Sequence, residues 1–389
     1  MRASKKRMKA TTNLRDFKNA GLRRKYLEEK LSIKLENISN FTFTEEQVLG
    51  RNIENLIGAT QIPLGVAGPL KILKSPKSLN VFIPLATTEG ALVASISRGC
   101  KAVTEAGGVT VEVENVGMSR GPVFKTDGIE HSLKVKAWIN SHISLISQIT
   151  QKTSSHLKLL KVETTSVGRN LYVRFSYDTG NAMGMNMATI ATQEAVKLIE
   201  KETKAKCLAL AGNYDLDKKP SWLNFIQGRG KKVWAEVTIS KKIVAEVLKT
   251  TPQAIVEVVE SKCHLGSIMA GSLGFNSHFA NIAAAIFAAT GQDLAHVVEA
   301  SLGVTAAEVL ENGSLYFSIY LPSLQVGTVG GGTQLPTQQE ALKIMGATDV
   351  LEYSQAVGAT ILAGELSLIA SLAEGSLASA HQKLGRKER

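Results

Sequence analysis

The sequence predicts an α+β fold with more than one compact unit, on three observations. At 389 residues the chain is longer than one ordinary core fills, and 44% hydrophobic with 20% charged residues is a globular composition. Stretches with strand-like alternation or β-branched content, 81–87 and 109–116, are interleaved with helix-period stretches rich in small residues, 275–293 and 359–380. Between 123 and 210 the order is helix, strand, turn and helix, an αβ unit enclosed by the rest of the chain.

Residues 13–36 place Leu22, Tyr26, Leu31 and Ile33 at helical spacing under heavy charge, so 1–47 reads as a small helical region with a basic arm. From 48 to 70 glycine and proline accumulate, including P-L-G-V-A-G-P-L at 63–70, a tight loop that brings backbone close to something. Thr87 or Thr88 can cap a helix over 89–104, which puts Glu89 in its first turn. There the helix dipole favours the carboxylate and burial the neutral acid; a plain first-turn acidic residue is the alternative. After the strand at 109–116, Gly117, Ser119 and Gly121 fit G-x-S-x-G, and chain order permits a hydrolase triad of Ser119, Asp293 and His381. Against it, Pro122 and V-F-K-T-D-G follow where a nucleophile elbow needs a long helix.

Within the αβ unit a helix is expected through 132–151, a strand at 170–175, and G-N-A-M-G-M-N-M at 180–187 opens a helix to about 204. Gly180, Ala182 and Gly184 make a close-approach loop whose helix amino terminus suits a nucleotide phosphate, although G-x-G-x-x-G is absent and a Met-rich start facing core is the alternative. The loop 211–220 crowds Asp215, Asp217, Lys218 and Lys219 together without periodicity, so it is either a solvated turn or a site whose charges have partners. The helix at 275–293 carries His278 and Asn281 on one face, with Gly291 as its stop and Asp293 just beyond. Read as buried, Asp293 needs a cation, for which Lys218 is the candidate. A glycine loop follows at 327–333, and His381 stands after the last helix in a basic tail.

The net charge of +11 is confined to the ends: residues 1–30 hold eleven Lys/Arg against three Asp/Glu, and 383–389 four against one. A basic arm without interleaved aromatics reads as a solvated tail, with nucleic-acid binding as a minor alternative. Three cysteines without paired spacing fit a reducing, cytoplasmic setting, and the seven histidines form no zinc pattern, so no metal is expected. Charged or polar residues interrupt the most apolar tracts, which argues against membrane spans, and no apolar core follows the charged amino terminus as in a signal peptide.

A-T-T-E-G at 86–90, S-R-G-P at 119–122, A-M-G-M-N-M at 182–187, D-K-K-P at 217–220, A-G-S-x-G at 270–274, G-Q-D at 291–293, G-T-V-G-G-G-T at 327–333 and A-G-E-L-S-L at 363–368 occur in that order. Together they resemble the catalytic portion of class I 3-hydroxy-3-methylglutaryl-CoA (HMG-CoA) reductase, over roughly 53–381, without the membrane region of the animal enzymes. The resemblance implies four-electron reduction of HMG-CoA to mevalonate and CoA with two NADPH. Lys218 would stabilise the developing oxyanion, Glu89 supply a proton, Asp293 tune both, and His381 protonate the departing thiolate. Arg120, Asp217, Lys219, Lys262 and Asn281 would contact substrate. Asn181, Ala182, Met183, Gly184, Met185 and Asn186, with Gly331 in the 330–332 segment, would contact cofactor. The resemblance further implies a ferredoxin-like cofactor domain at 122–210 inserted into a large domain of 48–121 and 211–389 built around a long buried helix. It also implies active sites shared between subunits of a dimer or tetramer. Asn181 stands where an Asp is usual and Ala211 where a Ser is usual. No arginine precedes 170–175 for the 2′-phosphate; Ser155, His156 and Lys158 occupy that neighbourhood and Arg386 is a further source of charge, so NADH is not excluded.

Overall fold

The structure, a computed structural model, describes residues 13–74 and 78–375, so His381, Arg386 and most of the basic arm lie outside the described residues. Eleven strands join in one sheet. They are β1 (Leu64–Leu73), β2 (Leu79–Ala86), β3 (Val109–Arg120), β4 (Val123–Lys125), β5 (Lys158–Val167), β6 (Asn170–Asp178), β7 (Lys206–Ala209), β8 (Gly230–Ile239), β9 (Gly274–Phe275), β10 (Gly303–Val309) and β11 (Leu315–Leu324). Neighbours run β7-β4-β6-β3-β8-β11-β10-β9, with β5 beside β6 and with β1 and β2 attached through β3. The β7-β4-β6-β5 portion, with helices between β4 and β5 and between β6 and β7, is the β-α-β-β-α-β arrangement of a ferredoxin-like layer. The fold is α+β.

β3 belongs to both halves of the sheet. It pairs antiparallel with β8 from Thr110 to Gly117 and then with β6 from Met118 to Arg120. The register slips between Asn115 and Gly117, and Gly117 has φ 83, a left-handed conformation that costs glycine little. A Cβ there would stand 2.9 Å from the carbonyl oxygen of Tyr177.

Two cores lie on either side of this joint. The smaller gathers Met118, Phe124, Val135, Ile139, Phe175, Tyr177 and the inner face of the helix Met185–Thr203. The larger forms around the long helix Val350–Glu374, whose interior run from Ala356 to Ser367 is buried throughout. Small residues let this helix sit close to its neighbours. A Cβ on Gly99, in the helix Leu92–Glu105, would fall 1.8 Å from the Ala363 carbonyl oxygen, and one on Gly364 would fall 2.6 Å from Ile282. By length and composition Val350–Glu374 could cross a membrane, but 83% of its apolar window is buried in the fold, as in a core helix.

The first helix, Ala20–Leu31, is capped by Asn19 and covers a small cluster of Ala20, Val48 and Leu56. The segment 252–270, unassigned by periodicity, is helical. It passes from Pro252–Val258 through a wider π-type stretch, Val259–Gly266, to Ser267–Ala270. The long helix begins at Val350, nine residues before the expected start, because Asp349 caps it by accepting from the Leu351 and Glu352 N–H groups.

Candidate active site

The loop 211–220 returns the chain to β8 and is held in a demanding conformation. Asn213, Leu216 and Lys218 all have positive φ, at 62°, 54° and 58°. A left-handed non-glycine residue persists only where its surroundings impose it, and beneath this loop is a largely buried ionic network. Arg229, with no exposed side chain, donates from Nη1 to Glu299 (2.8 Å) and from Nε to the Ser119 hydroxyl (2.9 Å), and pairs through Nη2 with Asp217 (3.0 Å). Asn224 donates to the Leu216 carbonyl (3.2 Å) and to Glu299 (3.1 Å), and the Lys218 N–H points at Glu299 (3.3 Å).

Held this way, Lys218 turns its ammonium onto Asp293 at 2.7 Å. The expected pairing is present, but Asp293 is not buried: its side chain is 35% exposed and that of Lys218 39%. Gly291, at φ 73, ends the helix Phe279–Thr290, and Asp293 lies outside it as the cap of the following short turn. Partial burial pushes the Asp293 carboxyl up, but the Lys218 ammonium, the Ala295 N–H and His296 outweigh it and hold the carboxyl below its usual range.

The pair forms part of the wall of a cleft of about 480 Å³, lined by Ala182 to Met187, Gly291 to Asp293 and Val329 to Thr333. Gly330 and Gly331 have φ 79 and 56 with open space where a Cβ would stand, so bare backbone faces the cleft. The helix Met185–Thr203 begins behind Gly184 without a side-chain cap, leaving its first N–H groups as an anion-binding terminus. The two loops are pressed together: Ala182 pairs with Val329, and a Cβ on Gly327 would fall 2.4 Å from the Met183 nitrogen. Asn181 accepts from the Val350 N–H (3.1 Å) and so fastens this loop to the start of the long helix. Across from it, the His156 carbonyl lies 3.9 Å from a Cβ built on Gly180, and Lys158 is registered opposite Asp178.

A second cleft, of about 540 Å³, is lined by Thr87 to Glu89, Asn281, Ala284, Ala288, Leu294 and Val297. Asn281 donates to Glu89 at 3.3 Å. The turn at 293–294 separates the two clefts, with Asp293 on one and Leu294 on the other.

Other expected residues sit elsewhere or are placed differently. Glu89 precedes its helix, which starts at Leu92 after Ala91 adopts φ 72; the Thr87 hydroxyl accepts from the Glu89 N–H and so closes a turn, not a helix cap. His278 likewise precedes Phe279–Thr290 and does not share its face with Asn281. The Glu365 carboxylate takes the Ser277 and His278 N–H groups, and the ring contacts the Gly364 carbonyl at 2.9 Å. Burial lowers the His278 pKa. Ser119 lies inside β3, fully buried, donating to the Asp215 carbonyl (3.1 Å) and accepting from Arg229, so it is neither a turn residue nor an exposed nucleophile. Arg120 is paired with Asp215 (3.1 Å) and Thr189 (2.8 Å). Lys219 donates to the Asp217 carbonyl, and Lys262 is exposed on the π-type stretch, where its charge acts on Glu365 and Cys263.

Arg229, Glu299, His296 and Asn224 were not anticipated. Spacing carries no signal for Arg229 and Asn224, which reach the site from other parts of the chain; H-x-x-E at 296–299, separated from G-Q-D by two residues, hints at a second ionic pair.

The family model described as hydroxymethylglutaryl-coenzyme A reductase matches residues 19–386. The chain belongs to this family. Among HMG-CoA reductases, that of Methanocaldococcus jannaschii is 51% identical over 94% of this chain and 92% of its own length, and that of Methanothermobacter thermautotrophicus 49% over 94% and 93%. An HMG-CoA reductase of Dictyostelium discoideum is 40% identical, over 94% of this chain and 68% of its own. In fold the chain is similar to a class II HMG-CoA reductase from Streptococcus pneumoniae, solved bound to NADPH in open conformations, with a TM-score of 0.68 at 19% identity over 91% of this chain and 97% of that one.

Proposed function

We propose that the two clefts flanking the 293–294 turn form one active site that reduces HMG-CoA to mevalonate. One turnover takes up the thioester, two NADPH and two protons and returns mevalonate, CoA and two NADP⁺. The observation that carries this is the Lys218 to Asp293 pair on the wall of the glycine-lined cleft. NADPH supplies the hydrides when bound. The residues present fit it: the all-glycine backbone at 330–332 gives a side-chain-free approach opposite 182–187, and the uncapped helix terminus suits its phosphates. The NADPH-bound structural neighbour supports the 2′-phosphate form over NADH.

Each hydride addition builds charge on a carbonyl oxygen. The Lys218 ammonium is fixed where it can stabilise that charge, and Asp293 orients it. Glu89, steadied by Asn281, delivers a proton. His381 protonates the departing thiolate from the carboxyl-terminal tail. Arg120, Asp217, Lys219 and Lys262 hold the carboxylate and hydroxyl of the substrate.

In this reading 122–210 is the cofactor domain inserted into a large domain of 48–121 and 211–389. The separate core around Met118 to Ala205 supports that division. The chain is of the class I form, as 40–51% identity to the archaeal and Dictyostelium relatives against 19% to the class II protein supports. Lys262 lies away from the Lys218 to Asp293 pair, which supports an active site completed by a second subunit. The free thiols of Cys100, Cys207 and Cys263 support a cytoplasmic location. Loss of nicotinamide absorbance on adding HMG-CoA, with two NADPH oxidised per CoA released and a slower rate with NADH, is the expected result. No oxidation with either cofactor overturns the proposal.

A further inference from the structure

His296 is fully buried, and one of its ring nitrogens has no hydrogen-bond partner. Nδ1 lies 2.7 Å from Glu299 Oε2. Because that carboxylate is ion-paired with Arg229 and only accepts, Nδ1 donates and the ring orientation is fixed. Nε2 is thereby aimed back toward the site, 3.8 Å from Asp293 Oδ2 and 4.0 Å from Asp217 Oδ1. Asp217 Oδ1 is itself buried without a well-formed hydrogen bond. In the imidazolium form Nε2 carries a proton as well, and a movement of about 1 Å would bring it within hydrogen-bond reach of either carboxylate.

Asp217, His296 and Glu299 bring potential ligand atoms within 4.8 Å of one another, as a metal site would. Arg229 already contacts both carboxylates at 3.0 and 2.8 Å, so its charge takes the place of an ion. The arrangement is a brace.

We propose that His296 is a positioning residue for the reaction, transmitting the rigidity of the Arg229 and Glu299 pair to Asp293 and, through it, to the Lys218 ammonium. The inference rests on reading Lys218 and Asp293 as the reacting centre. The charged groups facing His296 are Glu299 and Asp293 from its own turn and Asp217 from the 211–220 loop, with Arg229 and Lys218 immediately behind them. The charge of His296 is one of the influences that keep Asp293 acidic, so removing it lets the Asp293 carboxyl titrate at higher pH.

The test compares the full chain with His296→Ala and His296→Gln by steady-state NADPH oxidation across the pH range in which each stays folded. His296→Ala is expected to lower kcat on the order of 10–100-fold with little change in KM for the cofactor, as for a slightly misplaced reacting group. His296→Gln keeps a donor toward Asp293 and is expected to recover most of kcat, while the acid limb of its profile moves to higher pH because the amide carries no charge. Wild-type kcat and pH profile in His296→Ala would overturn the inference. If His296→Ala does not fold, an unchanged acid limb in His296→Gln overturns it. An inactive wild type would instead defeat the functional reading itself, which keeps the two failures distinct.

Discussion

Asp293 and Glu299 are two carboxylates in the same stretch of chain, each paired with a cation, and they behave in opposite ways. Glu299 and its partner Arg229 are fully buried, whereas Asp293 and Lys218 keep more than a third of their side chains exposed. Glu299 spends its lone pairs on Arg229, Asn224, His296 and the Lys218 N–H, so nothing is left to offer a ligand. Asp293 contacts Lys218 and the Ala295 N–H and faces the cleft. The difference teaches that the buried pair builds the platform and the half-exposed pair stands on it. Burial makes an ionic group a poor reactant and a good foundation, provided every charge is matched.

The largest effect expected is on the platform. Arg229→Ala leaves Glu299 buried and uncompensated and should remove about 3–5 kcal/mol of stability, read as a lower urea midpoint. A midpoint within error of wild type would erase the distinction between the two pairs. Lys218→Met should do the converse: its melting temperature stays near wild type, while kcat falls on the order of 10²–10³-fold, the usual effect of losing a group that stabilises an oxyanion. A Lys218→Met protein that unfolds early would show that this pair, too, is foundation.

A third carboxylate sharpens the contrast through pH. Glu365 lies within the long helix, fully buried, and burial pushes its carboxyl from 4.5 up to about 7, against the opposing Ser277 and His278 N–H groups, the Thr305 hydroxyl and Lys262. Because the folded value is raised, the native state holds this proton more tightly than the unfolded chain. The stabilisation is complete below about 4.5 and is lost as pH rises through about 7. Glu365→Gln cannot ionise, so its melting temperature relative to wild type should improve between those two values; a constant offset would count against a raised Glu365. The smallest effect is expected at Asn181, whose half of the comparison is exposed. Asn181→Ala loses the bond to the Val350 N–H, about 1 kcal/mol, and should appear chiefly as a raised KM for NADPH.

Much of this was legible in the sequence for reasons that are local. Gly291 ends a helix and a glycine loop exposes backbone, each decided within a few residues; the pairing of Asp293 with the distant Lys218 was expected from burial, yet it forms half-exposed. Helix starts were less legible. Glu89 and His278 were both placed inside helices that begin one to three residues later, because Ala91 takes a left-handed conformation and Glu365 supplies the capping acceptors from a distant part of the chain. The G-x-S-x-G pattern is rightly set aside on the strand and turn residues that follow it, and its serine lies buried inside a strand. The platform was legible only in fragments, Asp217 in its charged loop and H-x-x-E at 296–299: Ser119, Asn224 and Arg229 join them from other parts of the chain, and only the folded chain brings them into contact.

The strand shared by the two cores constrains how the molecule can move. Because β3 is hydrogen-bonded to β8 along one part and to β6 along the next, sliding one core past the other would tear two ladders at once. Rotation about the bulge at Gly117 disturbs neither. A twist of the glycine-lined cleft about that bulge would carry Arg120, only three residues beyond it, along with it.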